Sequence, residues 1–232
     1  MSLVTFHLAN TKLATTAGAL LRPPTAANVA GLHRAECMTV MKLGSRSLSP
    51  ARLQLRHLAV LAYWESDRAI DRFLTDTELG RSLAKGWHVR LEFLRRWGRL
   101  SGFEDLPASV HEEEFSAPVV AVTLARLKLP QVARFVRWGK PVEELVRDHP
   151  GTTLALAAMR PPRTIGTFSV WRSVREMRDM VQGEGNMARP DRHAAAMVER
   201  ERKDFHHEFT TLRFRVLAEH GTWEGRSNIV PR

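Results

Sequence analysis

Imidazoles far outnumber thiols among the nitrogen and sulfur side chains that could bind a metal in this 232-residue sequence. The sequence contains ten histidines and a single cysteine, Cys37. Because Cys37 has no second cysteine to pair with, neither an intrachain disulfide nor a zinc site made of cysteines alone can form. The imidazoles remain, and they can bind a metal ion or move a proton near neutral pH.

His193 is the histidine whose neighbours are most unusual. It comes early in a predicted helix, directly before the run Ala194–Ala196, and shares a helix face with Met197. Because its neighbours are small, a helix carrying His193 could pack close to a flat ring. A surface histidine near a helix start is the alternative interpretation. His206 and His207 precede a predicted strand, in which adjacent side chains point to opposite faces, so at most one could enter a cavity. Solvated loop histidines are the simpler interpretation of that pair.

Two arginines share one side of the last predicted strand. Arg213 and Arg215 do so because side chains alternate along a strand. We expect their side to face a cavity, and the side with Leu212, Phe214 and Val216 to pack against helices. Buried guanidinium groups are costly unless they meet an anion or water. The pair therefore predicts an anionic cofactor group, a bound oxygen species or an acidic substrate, with an exposed edge strand as the alternative.

The composition is that of a globular protein with a basic surface. Hydrophobic residues make up 44% and charged residues 26%, and the formal net charge is +10. The densest basic cluster, Arg95–Arg99, is predicted to be the solvated face of a helix. The sequence contains neither a phosphate-binding loop nor a dinucleotide fingerprint. Nucleic acid is not the expected partner, because the sequence shows no recognition helix and no aromatic-basic platform. A non-catalytic binding or sensor protein with a basic surface stays open as an alternative.

Strand and helix patterns alternate regularly in the second half of the chain. Their order is strand, helix, strand, strand, helix, strand, which is the order of a ferredoxin-like fold. Ser173 is predicted to cap the second helix. In chain order the predicted elements are a strand at Val119–Ala125, a helix at Pro130–His149, strands at Thr152–Met159 and Thr164–Trp171, a helix from Ser173 that resumes at Ala194–Phe205 after a Gly-rich loop, and a strand at Glu208–Leu217.

The first half repeats this pattern less clearly. Strands are predicted at Leu3–Leu8, Met38–Leu43 and His57–Trp64, and Asp67–Trp97 is predicted to be mostly helical. Short motifs recur between the halves, since Trp64 and Trp171 are each followed by x-Ser. We therefore predict an α+β protein in which two ferredoxin-like repeats of one chain form the barrel that dimers usually make.

The predicted boundaries are 1–106 for the first repeat, 107–116 for an acidic linker with Glu112–Glu114, and 117–232 for the second repeat. Such a barrel is expected to enclose an apolar cavity between sheets and helices that suits a flat cofactor or an elongated apolar substrate.

Several motifs resemble the spheroidene monooxygenase family, the carotenoid-oxidising proteins of phototrophic bacteria. The resemblance covers roughly the whole chain, is strongest after Ala117 and is weak before Thr39. Its motifs are Gly166–Trp171, His193–Met197, Arg213 with Phe214, and the terminal Gly221–Arg226, with Lys42–Ser45 matching more loosely. The sequence departs from the family at Pro190–Arg192, where the family has a Gly-Pro lead-in.

The resemblance implies a haem-dependent, monooxygenase-type oxidoreductase that acts on an apolar, polyene-like substrate. It implies that His193 is the proximal ligand of the haem iron and that Arg213 is the catalytic group that polarises a bound oxygen species. Arg215 and Lys42 are further candidates for contacts with the haem. The reaction would need an electron donor, which the sequence does not identify. A cofactor-free oxygenase of the same fold, which needs no axial histidine, is the alternative.

The sequence also predicts where the protein works. It contains no apolar run long enough to span a membrane and no N-terminal secretion signal, so we expect a cytoplasmic protein. Further pairing into a homo-oligomer is left open by the sequence.

Overall fold

The computed structural model describes residues 3–43, 45, 49, 52–104, 106–110, 114–184 and 192–231. These residues form eight strands and six α-helices. The elements in chain order are β1 Leu3–Asn10, α1 Leu13–Leu21, β2 Leu32–Met41, β3 Leu53–Trp64, α2 Asp67–Asp76, α3 Glu78–Ala84, β4 Trp87–Arg99, β5 Val119–Leu127, α4 Val132–Asp148, β6 Thr152–Arg160, β7 Thr164–Trp171, α5 Val174–Gln182, α6 Arg192–Arg202 and β8 His206–His220. Within this part of the chain, no helix is long and apolar enough to cross a membrane.

The strands close into an antiparallel barrel. Their order around the barrel is β1-β3-β2-β6-β7-β5-β8-β4. The first four strands are arranged β4-β1-β3-β2 and the last four β8-β5-β7-β6, so each half has the same strand order, that of a ferredoxin-like sheet. The halves join where β2 pairs with β6 and where β4 pairs with β8. The predicted α+β class and two-repeat barrel are confirmed.

The domain boundaries at 106/107 and 116/117 stay a prediction. Residues 111–113 of the predicted linker, which include Glu112 and Glu113, lie outside the described residues.

The barrel interior is a packed apolar core. Inward-facing side chains come from all eight strands, and the ring centroids of Phe6 and Phe168 stack 3.7 Å apart near its centre. Buried at one end of the barrel, Trp223 belongs to the same cluster. Large side chains fill the barrel interior at the density usual for a protein, so the apolar cavity expected between sheets and helices does not lie inside the barrel.

The two layers between sheet and helices differ in how well they are filled. Under α2 and α3, the first repeat buries a large cluster that includes Trp64, Ile70 and Phe73. The cluster under α4 and α5 in the second repeat is smaller. Beside it, the outer-facing side chains of Thr123 and Thr211 are only partly buried. The second repeat thus has a half-open layer on the outside of its sheet.

One strand of the first repeat is a helix in the sequence prediction. Residues from Trp87 onward form β4, with Val89 and Leu91 pointing into the barrel core. The helical pattern ends at Ala84 because the next residues, up to Gly86, turn the chain. The basic cluster Arg95–Arg99 consequently lies on a strand, and the prediction of a helix face was wrong.

Candidate functional site

Helix α6 places His193 against the end of helix α5. The side chain is partly buried, and its ring donates a hydrogen bond to the backbone carbonyl of Val181. Burial lowers the pKa of His193 below its ordinary value of 6.5, because a buried site disfavours the charged imidazolium. The ring is therefore neutral at pH 7. The nitrogen that does not contact Val181 keeps a lone pair that can bind a metal ion.

Ion pairs to helix α4 hold helix α6 in this position. The guanidinium Nε of Arg134 donates to Glu199 Oε1 at 2.9 Å, and Arg192 Nη1 donates to Glu144 Oε2 at 3.1 Å. The two pairs lie at opposite ends of α6, so they fix both the position and the direction of the helix that carries His193.

Helix α5 is held by its two caps. The side-chain oxygen of Ser173 accepts a hydrogen bond from the backbone N–H of Glu176 at 3.1 Å, as predicted for an N-cap. At the other end Gly183 adopts a left-handed conformation with φ of 74°, which glycine tolerates at a helix C-terminus. These caps fix the last turn of α5, in which Val181 presents its carbonyl to His193.

Strand β8 presents Arg213 on its outer face. The side chains of Leu212 and Phe214 point into the barrel core, so the predicted assignment of the two faces was reversed and Arg213 lies on the helix side. Its guanidinium carbon lies 4.4 Å from the centroid of the Trp97 ring. The two side chains are brought together because β4 pairs with β8 and sets Trp97 opposite Thr211.

Arg213 and Val181 line the same pocket. This pocket lies between helix α5 and strands β4 and β8 and has a volume of about 180 Å³. His193 contacts the backbone of Val181 from α6. Val181 thus links the two predicted residues, since His193 contacts its backbone and Arg213 shares its pocket.

The other two predicted site residues lie elsewhere. Arg215 also points outward from β8, but it pairs with Glu92 on β4 and lines a separate groove of about 720 Å³ beside the C-terminal segment. Lys42 is exposed just beyond the end of β2 and lines neither of these two cavities. Their contact with a haem stays a prediction.

The adjacent histidines at the start of β8 point to opposite sides. His206 is buried among aromatic rings that include Phe135 and Phe209, and its Nδ1 lies 2.9 Å from Asp204 Oδ1. His207 is exposed. The alternation expected for a strand is confirmed, whereas the interpretation of both as solvated loop histidines was wrong for His206.

Sequence reasoning missed three side chains that surround Arg213. Trp97, Arg178 and Gln182 line the same pocket. A signal for Trp97 existed, since an aromatic residue within a basic cluster is unusual, but assigning that cluster to a helix separated it from Arg213. No sequence pattern indicates that α5 packs against β8, so nothing in the sequence placed Arg178 and Gln182 near Arg213.

Solved structures of other proteins resemble this chain in fold. No protein-family model matches this sequence, and no curated protein matches it. An aldoxime dehydratase solved in complex with butyraldoxime is 8% identical, with a TM-score of 0.54 over 93% of this chain and 79% of that chain. A monooxygenase-like protein from Listeria innocua is 14% identical, with a TM-score of 0.29 over 91% and 93% of the two chains. A heme-degrading enzyme from Listeria monocytogenes is 13% identical, with a TM-score of 0.28 over 90% and 98%. The likeness to the aldoxime dehydratase, at 8% identity, shows a shared fold alone.

Proposed function

We propose that this protein is a haem-dependent, monooxygenase-type oxidoreductase. Its haem would lie in the half-open layer on the outside of the strands of the second repeat. The observation that carries the proposal is the state of His193. Its imidazole is partly buried, neutral at pH 7 and held by the carbonyl of Val181. A ligating histidine typically donates its second ring N–H to a carbonyl or carboxylate, which fixes the ring and raises its basicity.

The residues of this layer fit a haem in their chemistry. In the described part of the chain, no group of three or more His, Cys, Asp or Glu side chains is arranged to hold a metal ion. An iron at His193 would therefore need the nitrogens of a cofactor as its other ligands. The small, partly buried residues Ala121, Thr123 and Thr211 lie beside Arg213 on the paired strands β5 and β8.

Each residue has a distinct task in this proposal. When bound, the haem supplies the activation of oxygen or peroxide. His193 binds the iron, and the Val181 carbonyl orients its ring. Arg213 stays our candidate catalytic residue, because a fixed guanidinium stabilises negative charge that develops on oxygen. The packed barrel behind the sheet excludes water from one side of the layer.

The proposed substrate is a small apolar molecule, in keeping with the apolar and aromatic side chains of this layer, among them Trp97, Val181 and Phe115. Its chemical identity and the electron donor are left to experiment. A cofactor-free oxygenase of the same fold remains the rival proposal, and the His193→Ala variant separates the two.

The test is the affinity for haem of two variants. His193→Ala removes the proposed ligand, and His207→Ala removes an exposed histidine as the matched control. We expect His193→Ala to weaken haem binding at least tenfold in an absorption titration and His207→Ala to leave it unchanged. Equal haem affinities of His193→Ala and the unaltered protein would overturn the assignment of the ligand. Oxygenase activity that persists in haem-free His193→Ala would favour the cofactor-free rival.

A further inference from the structure

Strand β8 has an edge that no other strand covers along its C-terminal part. On one side, β4 pairs with β8 as far as His220. On the other side, β5 pairs with β8 only as far as Phe214, which lies opposite Val120. From Arg215 onward, the edge on the β5 side therefore has no strand partner among the described residues. The backbone N–H and C=O groups along such an edge are a template for a further strand.

Strand β4 is the counterpart of β8 in the first repeat. Where the two strands pair, each has one bulged residue with no partner opposite it, Leu94 in β4 and Leu217 in β8. Strand β1 pairs with β4 only as far as Glu92, just as β5 pairs with β8 only as far as Phe214. In both repeats, the first strand therefore leaves the same edge of the last strand uncovered.

A short segment that follows β4 covers this edge in the first repeat. The segment is residues 108–110. Its first carbonyl accepts a hydrogen bond from the N–H of Arg96, and its last N–H donates to the carbonyl of Leu94, both at 2.9 Å. An antiparallel bridge joins Ser109 to Arg95. The first repeat thus shows what satisfies this edge, namely an extended peptide segment that runs antiparallel to the strand.

The corresponding backbone groups of β8 have no such segment. Counting from the bulges, Glu219 in β8 matches Arg96 in β4. The carbonyl of Leu217 and the N–H of Glu219 should therefore point to the open edge, as their counterparts do in the first repeat. No described segment outside the paired strands makes a backbone hydrogen bond to residues 215–220.

The groove along this edge is bounded by parts of the chain that bond elsewhere. It has a volume of about 720 Å³ and is lined by residues 215–219, by the chain before β5 and by the C-terminal segment. Pro118 has no N–H to continue the ladder, and the carbonyl before it accepts a hydrogen bond from the N–H of Val174 at 3.0 Å. The N–H groups of residues 229 and 230 donate to the side chain of Glu219. Neither neighbour therefore pairs with the edge.

We propose that the open edge of β8 binds an extended, acidic peptide of a partner protein, which adds a strand antiparallel to β8. Its main chain would bond to Leu217 and Glu219 as residues 108–110 bond to β4, and such main-chain hydrogen bonds give strand addition its affinity. The site goes beyond the proposed oxidoreductase function, since the groove shares no lining residue with the pocket at Arg213 and does not involve His193.

The side chains of the groove define the peptide. The side chain of Arg215 is 57% exposed and pairs through Nη2 with Glu92. A guanidinium has five N–H donors, so the others can bind an acidic side chain of the peptide. The formal net charge of +10 favours an acidic partner as well. Because Val216, Leu217 and Val230 also line the groove, small or apolar side chains should alternate along the peptide.

The experiment measures the binding of a labelled peptide to haem-free full-length protein by fluorescence polarisation. The probe is LPASVHEEE, the sequence of residues 106–114, because it contains the segment that covers the counterpart edge and ends in acidic residues. The same peptide N-methylated at its valine lacks the N–H that would donate to Leu217. We expect it to bind about fivefold more weakly or worse, the usual cost of a lost hydrogen bond. LPASVHQQQ should also bind more weakly than the probe, and this difference should shrink at high salt.

Protein variants locate the peptide on β8. Leu217→Asp places a carboxylate on the open edge and should weaken binding of the acidic probe severalfold. Val198→Asp, at an exposed position on α6, is the matched control and should bind as the unaltered protein does. Arg215→Gln should lose the preference for LPASVHEEE over LPASVHQQQ. His193→Ala should bind the probe normally, so a failure of the haem proposal stays distinguishable.

Absence of binding at millimolar peptide, or equal affinity for the N-methylated peptide, would overturn the proposal, and neither result depends on a variant. Self-association of the protein at micromolar concentration that Leu217→Asp abolishes would assign the edge to a second copy of this chain and would overturn the proposal too.

Discussion

Three histidines form a row across neighbouring strands. His7 on β1 pairs with His88 on β4, which pairs with His220 at the end of β8. The ring centroids of His7 and His88 are 5.0 Å apart, and those of His88 and His220 are 4.8 Å apart. His7 is fully buried, and neither of its ring nitrogens has a hydrogen-bond partner among the described residues. The positive charge of Arg90, which pairs with Asp67 and Asp71, also lies near His7 and disfavours its protonation. The imidazoles of His7 and His88 are therefore held neutral.

This row predicts acid-sensitive stability. Burial lowers the pKa of His7 well below 6.5 and, together with His220, lowers that of His88 to about 4. The unfolded chain then binds protons more readily than the folded protein. The free energy of unfolding should therefore have its full value above about pH 6.5 and fall as the pH drops towards 4. The part due to His88 is about 3 kcal/mol at most, reduced by solvent near the exposed His220.

Denaturant unfolding at pH 7 and pH 4.5 measures this effect. His88→Phe removes the titrating group while keeping a ring in the stack, so its loss of stability between the two pH values should be smaller than that of the unaltered protein. His207→Phe, at an exposed position, serves as the control and should keep the full loss. An unchanged loss in His88→Phe would contradict the assignment.

Arg213 and His193 should differ in what their removal changes. Arg213→Ala takes away a cation that faces the layer but leaves the proposed iron ligand in place. We expect this variant to keep most of its haem binding and to lose turnover by a factor of about ten or more, the usual cost of removing one charge-stabilising donor. Haem affinity and turnover under saturating haem are the measurements. Loss of haem uptake with unchanged residual turnover would assign Arg213 to a cofactor contact instead.

The carboxylate of Glu219 binds the C-terminal segment at one end of the barrel. Glu219 Oε1 accepts hydrogen bonds from Trp87 Nε1 and from the backbone N–H of Ile229, both at 2.7 Å, and its Oε2 accepts from the backbone N–H of Val230 at 3.1 Å. Trp223, in the same segment, packs against the barrel core. The terminal Gly-Thr-Trp motif that the sequence analysis singled out therefore has a structural task, since it seals the core.

Glu219→Gln tests this closure. The substitution keeps the shape but removes the charge and turns one acceptor oxygen into a donor that faces a backbone N–H. We expect a loss of about 1–3 kcal/mol, the value of a charged hydrogen bond, which lowers the melting temperature by several degrees for a chain of this size. Glu224→Gln, an exposed carboxyl in the same segment, should melt like the unaltered protein. Identical melting of Glu219→Gln and the unaltered protein would show that the Glu219 hydrogen bonds do not stabilise this end of the barrel.

At the scale of elements, the sequence was informative where patterns were clean. Strand β7 was predicted as Thr164–Trp171, the range it occupies, because alternating residues and flanking turn signals bound it on both sides. Strand β4 was missed because α2 and α3 precede it with a strong helical pattern, and the turn signal at Gly86 was not used. Alternation also identified which residues share a face of β8 but not which face is inside. Burial settles that question, since the apolar Leu212 and Phe214 fill the core and the arginines stay outside.

In the whole molecule, the two repeats share a topology but differ in their outer layers. The first repeat packs its helices onto a filled apolar cluster, whereas the second leaves part of its sheet half-open beside His193 and Arg213. The repeats also meet at the site, because Trp97 from the first repeat stacks on Arg213 from the second. This contact depends on the β4–β8 pairing, which no local sequence pattern reveals. The fold class was therefore predictable from the sequence, and the composition of the pocket was not.

The central claim is that this chain binds haem through His193, and the absorption spectrum of the full-length protein expressed with haem supplied tests it most directly. The account predicts a Soret band that copurifies with the protein, together with a rise in melting temperature on adding haem, since a ligand that binds only the folded state stabilises it. The absence of both the Soret band and the haem-induced thermal shift would contradict it.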